Sequence, residues 1–212
     1  MKKLIALIMV VAMIATFAAC GNNGQTEKET TGSAENNGSV ETTDAVETTP
    51  QPVQPEFEPE NANEILTHVW NKIPQDQKPM VVGGYFGDQY TEGPNSYNMD
   101  YAADLAAALL IPEDQMAYVT DASTAIHLQN ANTMTVGLVK VSEGADQQVF
   151  ADSVYDRIST NQWMCGFPEK LIITQVYGDY IFIAFGATEI LDTVETQLDA
   201  SWPTNDFYNE AM

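Results

Sequence analysis

Leu171-Ile172-Ile173-Thr174-Gln175-Val176-Tyr177-Gly178-Asp179-Tyr180-Ile181-Phe182-Ile183-Ala184-Phe185 decides the fold class of this chain. Two short runs of β-branched and aromatic residues flank Gly178-Asp179. A Gly-X pair at that place suits a type II′ turn, whose twist matches that of the strands it joins. The stretch therefore reads as an antiparallel hairpin.

Outward from the hairpin the periodicity changes. Ile190, Leu191, Val194 and Leu198 lie on one stripe of a closing helix, and Phe150, Val154 and Ile158, spaced by four, give an amphipathic helix before it. Residues 133–141 and 116–120 read as strands. Residues 99–110 are Ala-rich and helical, ending before Pro112, and residues 86–98 read as a polar, aromatic loop. Residues 80–85 read as a short buried strand. Ile65, Leu66, Val69, Trp70 and Ile73 mark a first helix stopped by Pro74. The expected order is α-β-α-β-β-α-β-β-α, an α+β domain with an antiparallel or mixed sheet covered by helices. Residues 59–212 form that single globular domain, of a size that supports its own core.

The first 58 residues are different. Lys2 and Lys3, the apolar run from Leu4 to Phe17 and the small pair Ala18-Ala19 make an export signal over residues 1–20. The run is too short to span a bilayer, which takes about 20 apolar residues. A cysteine, Cys20, stands directly after the small pair. Thr16-Phe17-Ala18-Ala19-Cys20-Gly21 resembles the lipobox of bacterial lipoproteins, although Phe17 stands where that pattern usually has an aliphatic residue. The resemblance implies that Cys20 is lipidated and becomes the mature N-terminus, so that the chain sits on the extracytoplasmic face of the cell membrane. More than one acyl chain on the residue would make that anchoring stable. Residues 21–58 are rich in Thr, Glu, Asn, Gly, Ser and Pro and poor in large apolar side chains, the composition of a disordered acidic tether.

Composition narrows the partners. The chain has 8 basic and 30 acidic residues, a formal net charge of −22. Loss of the signal removes Lys2 and Lys3 and makes it more acidic still. Such a charge repels nucleic acid and anionic lipid head groups. With Cys20 lipidated, Cys165 is the one thiol left, so the core and not a disulfide must hold the fold.

Candidate chemistry gathers in Trp163-Met164-Cys165-Gly166-Phe167-Pro168. A thiol between a helix end and a strand becomes a nucleophile if a base lowers its pKa, and His127 is the candidate base, with Asn130 or Asn132 to orient it. His68, near the start of a helix, is expected to be exposed. The ordinary reading is a helix-to-strand connector with an inert cysteine. Gly83-Gly84-Tyr85-Phe86-Gly87 follows a strand as phosphate loops do, but lacks their Gly-Lys-Ser/Thr ending. Tyr85, Phe86, Tyr90, Tyr97 and Tyr101 either stack on sugar rings or pin the loop to the core. Asp88, Glu92 and Asp100 could share a calcium ion, but acids this frequent fall near one another by chance, and no metal or other cofactor is expected.

The segments His127-Leu128-Gln129-Asn130-Ala131-Asn132-Thr133 and Gln162-Trp163-Met164-Cys165-Gly166-Phe167-Pro168-Glu169-Lys170 resemble a family of small lipoproteins of Gram-positive bacteria, some of them labelled bacteriocin transport accessory protein. The resemblance covers most of residues 60–200 and implies a role beside a surface or export complex. The Cys-x-x-Cys of thioredoxin-like accessory proteins is absent. The expected function is thus a lipid-anchored extracytoplasmic interaction or accessory module without catalysis, with a protein or cell-wall partner and no nucleic acid. Its binding candidates are His127, Asn130, Trp163, Cys165 and Phe167. The alternative is a cell-wall glycan- or peptide-processing enzyme using Cys165 and His127.

Overall fold

A computed structural model describes residues 57–212 of the chain apart from Asp88. Cys20, the signal and the tether up to residue 56 lie outside the described residues, as does the Asp88 corner of the calcium trio.

The chain enters at α1 (Ala62–Lys72). Asn61 caps it by accepting from the Glu64 N–H at 3.0 Å, and Glu64 reaches back to the Glu60 N–H at 2.9 Å. Then come β1 (Val81–Tyr85), β2 (Gln89–Glu92), β3 (Asn95–Ser96), a 3-10 turn, α2 (Ala102–Leu109), α3 (Glu113–Met116), β4 (Val119–His127) and β5 (Met134–Val141). The second half runs α4 (Gln147–Ser159), β6 (Lys170–Gln175), β7 (Tyr180–Gly186), α5 (Thr188–Asp199) and β8 (Asn205–Ala211). Without β2, β3, α3 and β8, this is the order read from the sequence.

Among the described residues the strands form one open antiparallel sheet in the order β2-β1-β4-β5-β7-β6-β8, with β3 added on β4. The hairpin is β6–β7, with Ile173 opposite Ile183. Its turn closes by the Tyr180 N–H donating to the Tyr177 carbonyl at 3.0 Å, and Gly178 takes φ 56° as a primed turn requires. All seven residues of β7 are buried because both faces are covered. α1 and α5 pack on Phe182 and Ala184, whereas α2, α3 and α4 pack on Ile181, Ile183 and Phe185. The class is α+β, three layers deep.

Three segments differ from expectation. Residues 116–120 are not the strand: Met116 closes α3, and β4 begins at Val119 and continues to His127. Its middle is polar yet fully buried, because Ser123 donates to Asn63 Oδ1 at 3.1 Å and Thr124 accepts from the Gly84 N–H at 3.0 Å. The 86–98 loop contains β2 and β3. Gly83 makes this possible: a Cβ there would strike the Asn95 nitrogen and the Thr124 carbonyl oxygen, where β3 wedges in beside β1. Finally, β8 is an edge strand in which polar and charged residues flank Phe207 and Tyr208, with no apolar alternation to announce it.

Candidate functional site

The sheet has one end at which the sequence candidates meet. His127 ends β4, Met134 opens β5 and Lys170 opens β6, so the loops 128–133 and 160–169 leave side by side. Asn132 Nδ2 donates to the carbonyls of Met164 and Gly166, both at 2.8 Å, and Asn130 Nδ2 donates to the carbonyl of Cys165 at 3.3 Å. Three consecutive carbonyls are therefore held by two amides. They hold a backbone that needs holding. Cys165 sits at φ 69°, a left-handed conformation that costs a non-glycine residue about 1 kcal/mol, and Gly166 follows at φ 111°.

This fixed turn displays apolar side chains to solvent. Met164 is 80 % exposed and Phe167 77 %. At the same end of the sheet stand Leu128 and Met80, half exposed and joined by the Leu128 N–H donating to the Met80 carbonyl at 3.0 Å. Trp163 turns inward instead. Its ring lies 5.2 Å from Phe185 and borders a hollow of about 270 Å³ together with Asn132, Met164, Leu110 and Ala108. Large apolar groups gathered and exposed at one place are the usual sign of a surface that another molecule covers.

The catalytic reading of the same residues fares differently. His127 Nδ1 accepts from the backbone N–H groups of Gln129 and Asn130, at 3.4 and 3.3 Å. An accepting Nδ1 leaves the proton of a neutral ring on Nε2. The Asn130 side chain, expected to orient the imidazole, is engaged with Cys165 instead. The link between the loops runs through the Cys165 carbonyl, not its sulfur, and among the described residues no hydrogen bond joins His127 to the exposed Cys165 thiol. His68 is half-buried between Phe57, stacked at 5.2 Å, and Trp202. Its expected exposure is corrected by that sandwich.

The aromatic loop stacks largely on itself. Tyr85 lies on Tyr101 at 3.7 Å and Phe86 on Tyr90 at 4.9 Å, while Tyr97 meets Tyr85 edge-on and is buried. Gly83 and Gly84 lie inside β1 rather than in a loop after it. Among the described residues no group of three or more His, Cys, Asp or Glu side chains is placed to hold a metal ion. Also among them, no helix is long and apolar enough to cross a membrane. Sequence reasoning missed Met80, Leu128 and Asp104, each unremarkable until the fold sets it beside its neighbours.

Compared with protein-family models, with curated proteins and with solved structures, the chain has no match. The site is read from its own geometry.

Proposed function

We propose that the chain is a lipid-anchored, extracytoplasmic interaction module that engages a protein or cell-wall partner through the His127 end of its sheet and performs no reaction there. The carrying observation is the exposed pair Met164 and Phe167 on a turn fixed by Asn130 and Asn132. A rigid display lowers the ordering cost of binding, and exposed apolar groups supply the area to be buried. Orientation supports the reading. The Ala62 N–H donates to Asp121 at 2.7 Å, and the Tyr180 hydroxyl donates to the Glu60 carbonyl at 3.4 Å. Asp121, Lys140 and Tyr180 pair in one row across the sheet. That row lies about 20 Å along β4 from His127, at 3.3 Å per residue. The segment that leads into α1 is thus fastened at the end of the sheet opposite the apolar tip.

A photo-reactive phenylalanine analogue at position 167, and another at Val149 on α4, test the proposal in the producing cell. A discrete adduct is expected from position 167 alone, and Met164→Asp should abolish it without lowering the melting temperature. Adducts of the same size from both positions, or none from 167, would refute the docking surface.

A further inference from the structure

On the other side of Ala108 from the Trp163 hollow lies a second one, of about 220 Å³. Its walls are Tyr85, Phe86 and Tyr97, His127 borders it, and most of the remaining lining is aliphatic. Among the described residues one carboxylate reaches it, Asp104 from the first turn of α2, and no Lys or Arg lines it. The composition is selective. Aromatic rings present negative faces, and a cation within about 6 Å of a ring centroid is attracted to them. An anion would meet Asp104. A sugar would need a circle of donors and acceptors that aliphatic walls do not supply. The long-range field has the same sign, since the chain carries a net charge of −22.

We propose that this hollow binds an alkylammonium group, its charge held between Asp104 and the aromatic walls and its alkyl stem against the aliphatic lining. Local geometry keeps the hollow open. Gly84, at φ 87°, brings backbone without a side chain to its edge, and its N–H is fixed by Thr124 Oγ1 at 3.0 Å. Phe86 is itself steadied by stacking on Tyr90. Burial pushes the Tyr97 hydroxyl up to about 12, with the Asp104 carboxylate and Tyr85 adding to the rise. The tyrosine thus stays neutral at pH 7 and adds no charge beside Asp104. The proposal does not depend on the docking surface, which uses other side chains.

Such a group belongs either to a lysine of a partner polypeptide or to a free small amine. Titrating the full chain with n-butylammonium chloride, with a blocked Gly-Gly-Lys-Gly-Gly peptide and with neutral butan-1-ol separates these, read by NMR shifts of Ile126 and Tyr97. Saturable shifts are expected from the two cations and not from the alcohol, and the tighter cation identifies the source. Asp104→Asn, at an exposed position, should weaken binding about five-fold, and Phe86→Ala by a similar factor, with melting temperature unchanged. Equal binding of butan-1-ol, absence of saturable shifts from both cations, or unaltered affinity in folded Asp104→Asn would overturn the assignment.

Discussion

Tyr155 and Tyr208 stack at 4.0 Å between ring centroids and send their hydroxyls to different carboxylates, Tyr155 to Glu210 at 2.8 Å and Tyr208 to Asp152 at 2.7 Å. The arrangement latches the edge strand β8 to α4. Hydrogen bonds from Tyr208 and then Gln148 hold Asp152 below the usual carboxylate value of 3.8, and the same bond to Asp152 pushes Tyr208 up to about 12. The carboxylate therefore contributes stability above pH 3.8 that is lost as the pH falls through its lower folded value. The phenol contributes below pH 10, and that share is lost as the pH rises toward 12. The difference between the alkaline phenolate titrations of wild type and Tyr208→Phe should isolate one late-ionising tyrosine. Asp152→Asn should bring it back toward 10. A difference curve already centred at 10 in the wild type would show that the bond does not form in solution.

Asn132 donates twice at 2.8 Å to the tip, whereas Asn130 donates to it once at 3.3 Å and accepts from the Asn132 N–H at 3.0 Å. Replacing Asn132 by Ala should cost about 1–2 kcal/mol, and Asn130→Ala a similar amount, at a net value near 1 kcal/mol per bond. The loss should be local. Limited proteolysis should cut Asn132→Ala between residues 163 and 168 faster than wild type, with β6 and β7 still protected. Equal cleavage rates would mean that the amides do not order the turn.

Gly83 and Gly144 make a controlled pair. A Cβ on Gly83 meets only backbone atoms, which cannot step aside, whereas a Cβ on Gly144 meets nothing within 4 Å. Gly83→Ala should destabilise by about 3 kcal/mol, the upper range for overpacking a filled site. Gly144→Ala should stay within about 0.5 kcal/mol of wild type. Denaturant midpoints decide. Similar midpoints would mean that β3 does not wedge between β1 and β4.

The hairpin was legible because Gly178-Asp179 and two apolar runs are all local, and the helices because their apolar stripes are periodic. β4 was misplaced since its centre, Ala122 to Ala125, has two small and two polar residues. What buries Ser123 and Thr124 are partners in α1 and β1, which no local pattern reveals. β8 went unseen because an edge strand that carries Asp206, Asn209 and Glu210 looks like a loop. At the site the fold brings Asn130 to Cys165, but its side chain binds a carbonyl rather than the imidazole. An amide that binds a carbonyl and one that orients an imidazole have the same sequence signature. Asp104 and Phe86 line one hollow only because the fold brings α2 near the end of β1.

Cys165 separates the two functional readings through its backbone as well as its sulfur. At φ 69° the left-handed region favours glycine and strongly disfavours β-branched side chains. Denaturant midpoints should rank Cys165→Gly above wild type and Cys165→Val below it, by about 1 kcal/mol in each direction. The reverse order would show that the turn adopts another conformation in solution. Chemistry at the thiol would make every substitution inactive, Cys165→Ala and Cys165→Gly alike. A docking turn needs only its shape and its apolar neighbours. The adduct formed from position 167 should therefore persist in Cys165→Gly and in Cys165→Ala, and weaken in Cys165→Val as the turn relaxes. Loss of the adduct in Cys165→Gly, with the midpoint raised, would show that the sulfur itself is required and would favour the thiol-based alternative.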